Sequence, residues 1–199
     1  MNLKACLIAF AILLPGVASA NDTPTTVTPK ADTEKPTTMA KLSSDEIKVI
    51  SHIKHVNDTE VAMGKLAQSK GSAEVKKYGT TLVKDHTDNN TKLVALAKKN
   101  GLAKIPAEMP MTDDDKAAAK TMDADMAKLK TLKGAEFDKQ LLTMAVAGHD
   151  KTLAALTAAE ATVTNADLKD HIKATMPVVQ THADTARDLA TKATTTSMK

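Results

Sequence analysis

From Asp45 to near the end of the chain, large apolar residues return at alternating steps of three and four, and nowhere do they alternate with polar ones at a step of two. That spacing lines one stripe of an α-helix and predicts an all-α fold without strands. Four seams follow from it. The first reads Val49, Ile53, Val56, Glu60, Met63, Ala67, and the second Val75, Gly79, Leu82, His86, Asn89, Leu93, Leu96. The third reads Leu142, Val146, His149, Leu153, Leu156, and the fourth Leu168, Ile172, Thr175, Val179, His182, Ala186, Leu189. The rhythm is that of packed helices. Each seam carries one ionisable or imidazole side chain where a core residue belongs: Glu60, His86, His149 and His182.

Capping chemistry sets the expected ends. Ser43 and Glu46 have capping-box spacing, so the first helix is expected from about Asp45 to Ser69, closed by Lys70-Gly71. Ser72 opens the second, which stops at Lys98-Lys99-Asn100-Gly101. A connection containing Pro106 and Pro110 leads to a shorter helix that starts at Thr112-Asp113-Asp114-Asp115 and ends near Lys133-Gly134. Two further long helices are expected at 135–163 and, capped by Thr164 or Asn165, up to about Ala193. The resulting fold is a four-helix bundle of up-and-down helices, each on the order of 40 Å long, with a short extra helix in the connection between its halves. Gly64, Gly79 and Gly148 lie on or beside the seams and predict close backbone approach, while Pro177 predicts a kink ahead of His182.

The ends of the chain read differently. Residues 1–20 hold Lys4, an apolar run from Ala5 to Leu14 and a final Ala18-Ser19-Ala20, the pattern of a secretory signal peptide. Residues 21–42 are Thr/Pro-rich with few large apolar side chains, so they are expected to be a disordered tether, 43–193 the bundle domain and 194–199 a disordered tail. The protein is thus expected to be exported, to the periplasm or in association with the outer membrane, and no later stretch is long enough to span a bilayer. Cys6, the single cysteine, falls inside the signal, which leaves the mature chain no disulfide and no thiolate ligand. Losing Lys4 lowers the formal charge from +3 to +2, and the mature chain keeps only Tyr78 and Phe137 as aromatics. With no basic patch and no stacking platform, nucleic acid is excluded as a partner.

Mid-helix positions of antiparallel helices meet at one level, so the four polar seam residues are expected to converge. Three neutral imidazoles with one carboxylate suit one transition-metal ion, Zn, Cu, Ni or Fe, with Asp85, Asn89 and Asp150 placed to hydrogen-bond the ligands from behind. The same residues also suit a metal-free buried network of hydrogen bonds and water that sets helix register. His52, His55 and His171 read as surface residues, and Met63, Met144 and Met176 as core fillers. There is no nucleophile beside a base, no serine elbow and no phosphate-cradling loop, so catalytic residues are not expected and enzymatic activity is disfavoured.

Glu60-Val61-Ala62-Met63-Gly64-Lys65-Leu66-Ala67, Val83-Lys84-Asp85-His86, Leu132-Lys133-Gly134-Ala135-Glu136-Phe137-Asp138 and Met176-Pro177 ahead of His182 resemble the bacterial family called domain of unknown function 4142. The resemblance covers about 44–190. It implies an exported or outer-membrane-associated protein with a ferritin-like four-helix fold and brings no established activity. The family pattern has Asp-His in the third seam as in the second, whereas here Gly148 precedes His149 and Asp150 follows it. A ferritin-like di-iron centre would need Glu-x-x-His on two helices, and the chain has none. The sequence therefore points to a non-enzymatic envelope or stress-related binding module. The alternatives are an interaction module for an envelope partner and, behind it, a ferritin-like redox enzyme.

Overall fold

The computed structural model describes residues 41–110 and 112–196; the expected signal peptide, nearly all of the expected tether and residues 197–199 lie outside them. Five helices and no strands occur among the described residues: α1 (Ser44–Lys70), α2 (Ala73–Lys99), α3 (Asp113–Thr131), α4 (Gly134–Thr162) and α5 (Ala166–Thr196). Ser72 takes the N-cap position of α2 without a side-chain cap bond, whereas α1 and α3 open on capping boxes. The Ser43 hydroxyl accepts from the amide of Glu46 while the Glu46 carboxylate accepts from that of Ser43, and Thr112 and Asp115 make the same reciprocal pair. α5 passes through Pro177 without a break and runs on to Thr196, beyond its expected end.

Neighbouring long helices run antiparallel. Gly71 and Ser72 join α1 to α2, and the two backbones nearly touch: a Cβ on Gly79 would lie 2.5 Å from that of Ala67 and 2.6 Å from the Gly64 carbonyl. Gly148 differs from this expectation, since a Cβ there would meet only Glu60 Oε1 at 3.6 Å. α4 turns back into α5 at Val163–Asn165, where the second oxygen of Glu46 accepts from the amides of Thr164 and Asn165 at 2.9 and 2.7 Å. α2 packs on α5 and α1 on α4, closing a ring of four contacts.

The connection from α2 to α4 changes the expected up-and-down order. It leaves the end where Asn100 meets Asn165 and Asp167, is tied to α1 by a hydrogen bond between His52 and Glu108 of 2.7 Å, and arrives where Lys70 reaches the carbonyls of Lys130 and Leu132. It therefore traverses the length of the molecule, and α2 and α4 run in the same direction. α3 rides on this crossover and buries only Leu129.

The core is divided. Near the α1 N-terminus Ile50, Ile53, Leu93, Leu96, Leu168, Ile172 and Val179 form one apolar cluster, against which Leu42 also packs. Near the α2 N-terminus Met63, Val75, Tyr78, Leu82, Phe137, Leu141 and Leu142 form another. Each cluster stabilises in the ordinary way, so truncating a fully buried leucine such as Leu82 to alanine costs about 2–5 kcal/mol. Between the two clusters lies a polar layer.

Candidate metal centre

The polar layer holds Asn57 and Glu60 of α1, His86 of α2, His149 of α4 and Thr175 and His182 of α5, all buried. Along α1 the expected seam residues Ile53, Glu60, Met63 and Ala67 are buried, but Val49 and Val56 are only half-buried, and Ile50 and Asn57, each one residue further on, are buried in their place. This brings in Asn57, a residue outside the expected seam.

The three imidazoles face one another. Their ring centroids are 5.2, 5.4 and 5.9 Å apart, and one nitrogen of each lies within 4.8 Å of the other two. Their exposures are 4, 1 and 2 % for His86, His149 and His182. Every ring is held from behind by its other nitrogen. His149 Nδ1–H donates to the Ala145 carbonyl at 2.7 Å. His86 Nδ1–H donates to Asn57 Oδ1 at 2.8 Å, and the Asn57 amide is oriented in turn because its nitrogen donates to Asn89 Oδ1 and Asn90 Oδ1. His182 Nε2–H donates to Asp85 Oδ2 at 3.0 Å. These bonds decide the tautomers. His86 Nε2, His149 Nε2 and His182 Nδ1 are left as inward lone pairs without a hydrogen-bond partner.

Electrostatics keep the cluster poor in charge. Burial, reinforced by repulsion from the neighbouring rings, pushes the His86 pKa down to about 3, and burial pushes that of His149 down to about 4 against the pull of the Ala145 carbonyl. Burial raises the Glu60 carboxyl to about 8, so it carries its proton at neutral pH. Glu60 lies outside the three-nitrogen group. Its Oε1 is 3.9 Å from His149 Nδ1, on the side facing the α4 backbone, and its Oε2 has no partner.

The residues expected to support the ligands are placed unequally. Asp85 does so, but for His182 across the α2–α5 interface, not for its sequence neighbour His86. Asn89 bridges Asn57 to the Thr175 hydroxyl, at 2.7 Å from the latter, and so acts on His86 only through Asn57. Asp150 turns outward to Arg187, and the Ala145 carbonyl takes the part expected of it. Asn57 was the residue missed, although its spacing three before Glu60 on one helix face carried the signal. Tyr78 adds a buried hydroxyl that donates to the His182 carbonyl at 3.3 Å. His52 and His55 stay accessible beside Glu108, as expected, but His171 does not: it is half-buried, with a buried Nε2 that lacks a partner. Met63, Met144 and Met176 belong to the flanking apolar clusters.

The chemistry of the donor set follows. Three convergent lone pairs repel, and each unsatisfied buried polar atom costs about 1–3 kcal/mol. A water molecule donates two hydrogen bonds and so leaves at least one nitrogen bare. A cation accepts all three. Nitrogen atoms about 3.3 Å apart surround a tetrahedral zinc ion, so the buried His86, His149 and His182 cluster can hold a metal after a modest contraction. A carboxylate-bridged pair of metals does not fit, because Glu60 is the one buried carboxylate in the layer and the Asp85 carboxylate is taken by His182 Nε2–H.

No helix among the described residues is long and apolar enough to cross a membrane. No curated protein and no solved structure matches the chain. A family model does match, over residues 31–189, and the chain belongs to the family described as domain of unknown function (DUF4142).

Proposed function

We propose that this is an exported cell-envelope protein that binds one transition-metal ion, zinc, copper, nickel or iron, in a ferritin-like four-helix bundle and performs no catalysis of its own. The observation that carries the reading is the set of three inward imidazole lone pairs, each aimed by a hydrogen bond on the opposite nitrogen. His86, His149 and His182 are the ligands. Glu60 is their buried neighbour and becomes a fourth ligand only if its side chain turns inward. The single long crossover between α2 and α4 supports the ferritin-like arrangement, while the absence of Glu-x-x-His removes the di-iron chemistry found in many such bundles. Burial of all three rings supports an ion that is held over one presented to a substrate.

Elemental analysis tests the proposal directly. Untagged mature protein purified from the periplasm without chelator is expected to carry close to one metal per chain, and His86→Ala to carry none. The second reading is a metal-free network serving an interaction module, favoured by the Asn57, Asn89 and Thr175 chain of hydrogen bonds, which ties three helices together. Metal-free protein that refuses added zinc, copper, nickel and iron would establish that reading instead.

A further inference from the structure

The candidate centre is closed on two of its three sides. Behind His86 stands Asn57, itself buried, and behind His149 stands a backbone carbonyl of its own helix. Only His182 is backed by a group that solvent reaches, the Asp85 carboxylate, whose side chain is 28 % exposed. Asp85 and His182 form part of the wall of a solvent-facing groove of about 350 Å³ between α2 and α5, together with Glu74, Tyr78, Thr81 and Thr185. On the side of His52, Val56 and His86 there is a void of only about 10 Å³. An ion with six waters occupies roughly 180 Å³ at about 30 Å³ per water, so the groove admits a hydrated cation and the void does not.

We propose that this groove is the port of the centre and that Asp85 is its capture ligand for a hydrated transition-metal cation, a role that rests on the reading of the three histidines as a metal site. The cation exchanges a water for an Asp85 oxygen, which breaks the bond from His182 Nε2–H. The freed imidazole turns about its Cβ–Cγ bond, brings its Nδ1 lone pair outward to the cation, and returns it to His86 Nε2 and His149 Nε2. The lysines nearby do not block this path. Lys84 is exposed and shares its ammonium between Asp85 at 3.5 Å and Asp88 at 3.0 Å, and Lys77 is exposed and faces Glu74 at 3.4 Å.

Plugging the groove tests the port without touching a ligand. Thr81→Trp and Thr185→Trp fill it from its two walls, and Val56→Trp does the same at the small void as a control. Cobalt(II) uptake is followed by stopped-flow absorption in the visible, and release by mixing the loaded protein with excess EDTA. Both groove variants are expected to slow uptake and release by about tenfold or more, with Kd unchanged because it is the ratio of the two rates. The Val56 control should leave both at the wild-type value. Asp85→Asn should slow uptake, and a variant that only released faster would reduce Asp85 to an orienting residue. Groove variants that load and empty at wild-type rates would overturn the port alone, whereas wild-type protein that takes up no cobalt would overturn the metal centre and the port with it.

Discussion

Replacing His149 with leucine separates the two readings of the polar layer by the sign of a stability change. His149 is 1 % exposed, and its Nε2 is one of the partnerless buried atoms. Removing that atom relieves about 1–3 kcal/mol, and the buried leucine adds about 1.5–3 kcal/mol of transfer free energy. The loss of the Nδ1–H bond to Ala145 costs about 1 kcal/mol and strands nothing, because that carbonyl keeps its helical partner. Imperfect fit of the new side chain takes back about 1–2 kcal/mol. In metal-free protein His149→Leu should therefore gain on the order of 1–3 kcal/mol, or about 2–10 °C in Tm for a domain of this size. Metal reverses the order. An ion at a thousand times its Kd stabilises the wild type by about 4.1 kcal/mol and should leave the variant unmoved. Calorimetric melts of both proteins, after exhaustive chelation and again with added zinc, measure all four values. A variant less stable than metal-free wild type, with no zinc-induced shift in either protein, would refute the reasoning and show that the His149 nitrogen is satisfied within the fold.

Two further predictions follow from the same geometry. Glu46 is buried, and although burial raises its pKa, the amides of Ser43, Asn165 and Thr164 lower it further, from 4.5 to about 2. A depressed carboxylate stabilises the fold above its unfolded pKa and loses that contribution as pH falls, so a change from 4.5 to about 2 is worth on the order of 3 kcal/mol at neutral pH, lost between about pH 4.5 and 2. Urea denaturation of Glu46→Gln should show a comparable deficit at pH 7 and a flat profile through that window; an unchanged slope would remove Glu46 from the account. Asn57→Leu keeps all three ligands but frees the His86 ring, and should weaken zinc affinity by about 10–100-fold without changing stoichiometry, as a chelator competition titration would show.

What was legible in the sequence was local. Helix ends followed from Ser43 with Glu46 and Thr112 with Asp115, because a cap is satisfied within four residues of itself. The buried faces of α2 and α5, and with them His86 and His182, followed from a strict three-four rhythm in which each stripe has one apolar reading. α1 was less determinate. Val49 and Val56 offered a second apolar stripe beside Ile50 and Ile53, and the seam drawn through them passes Asn57 by. Contact with α2 selected the other stripe there, since Asn57 finds its three partners only where Asn89, Asn90 and His86 face it.

The residue types of the polar layer, three histidines and one acid at mid-helix, were set by the sequence, and so was the absence of any Glu-x-x-His. Tertiary structure alone decided which nitrogen of each ring points inward, because a tautomer is chosen by its hydrogen-bond partner, and two of the three partners come from another helix. It decided that Asp85 serves His182, 97 residues away, instead of His86 beside it. It also decided that α2 and α4 run in the same direction, since a connection containing a short helix is compatible with either order until its side chains find the surface they pack against. Periodicity records which face of a helix is buried; only the assembled helices determine what that face meets.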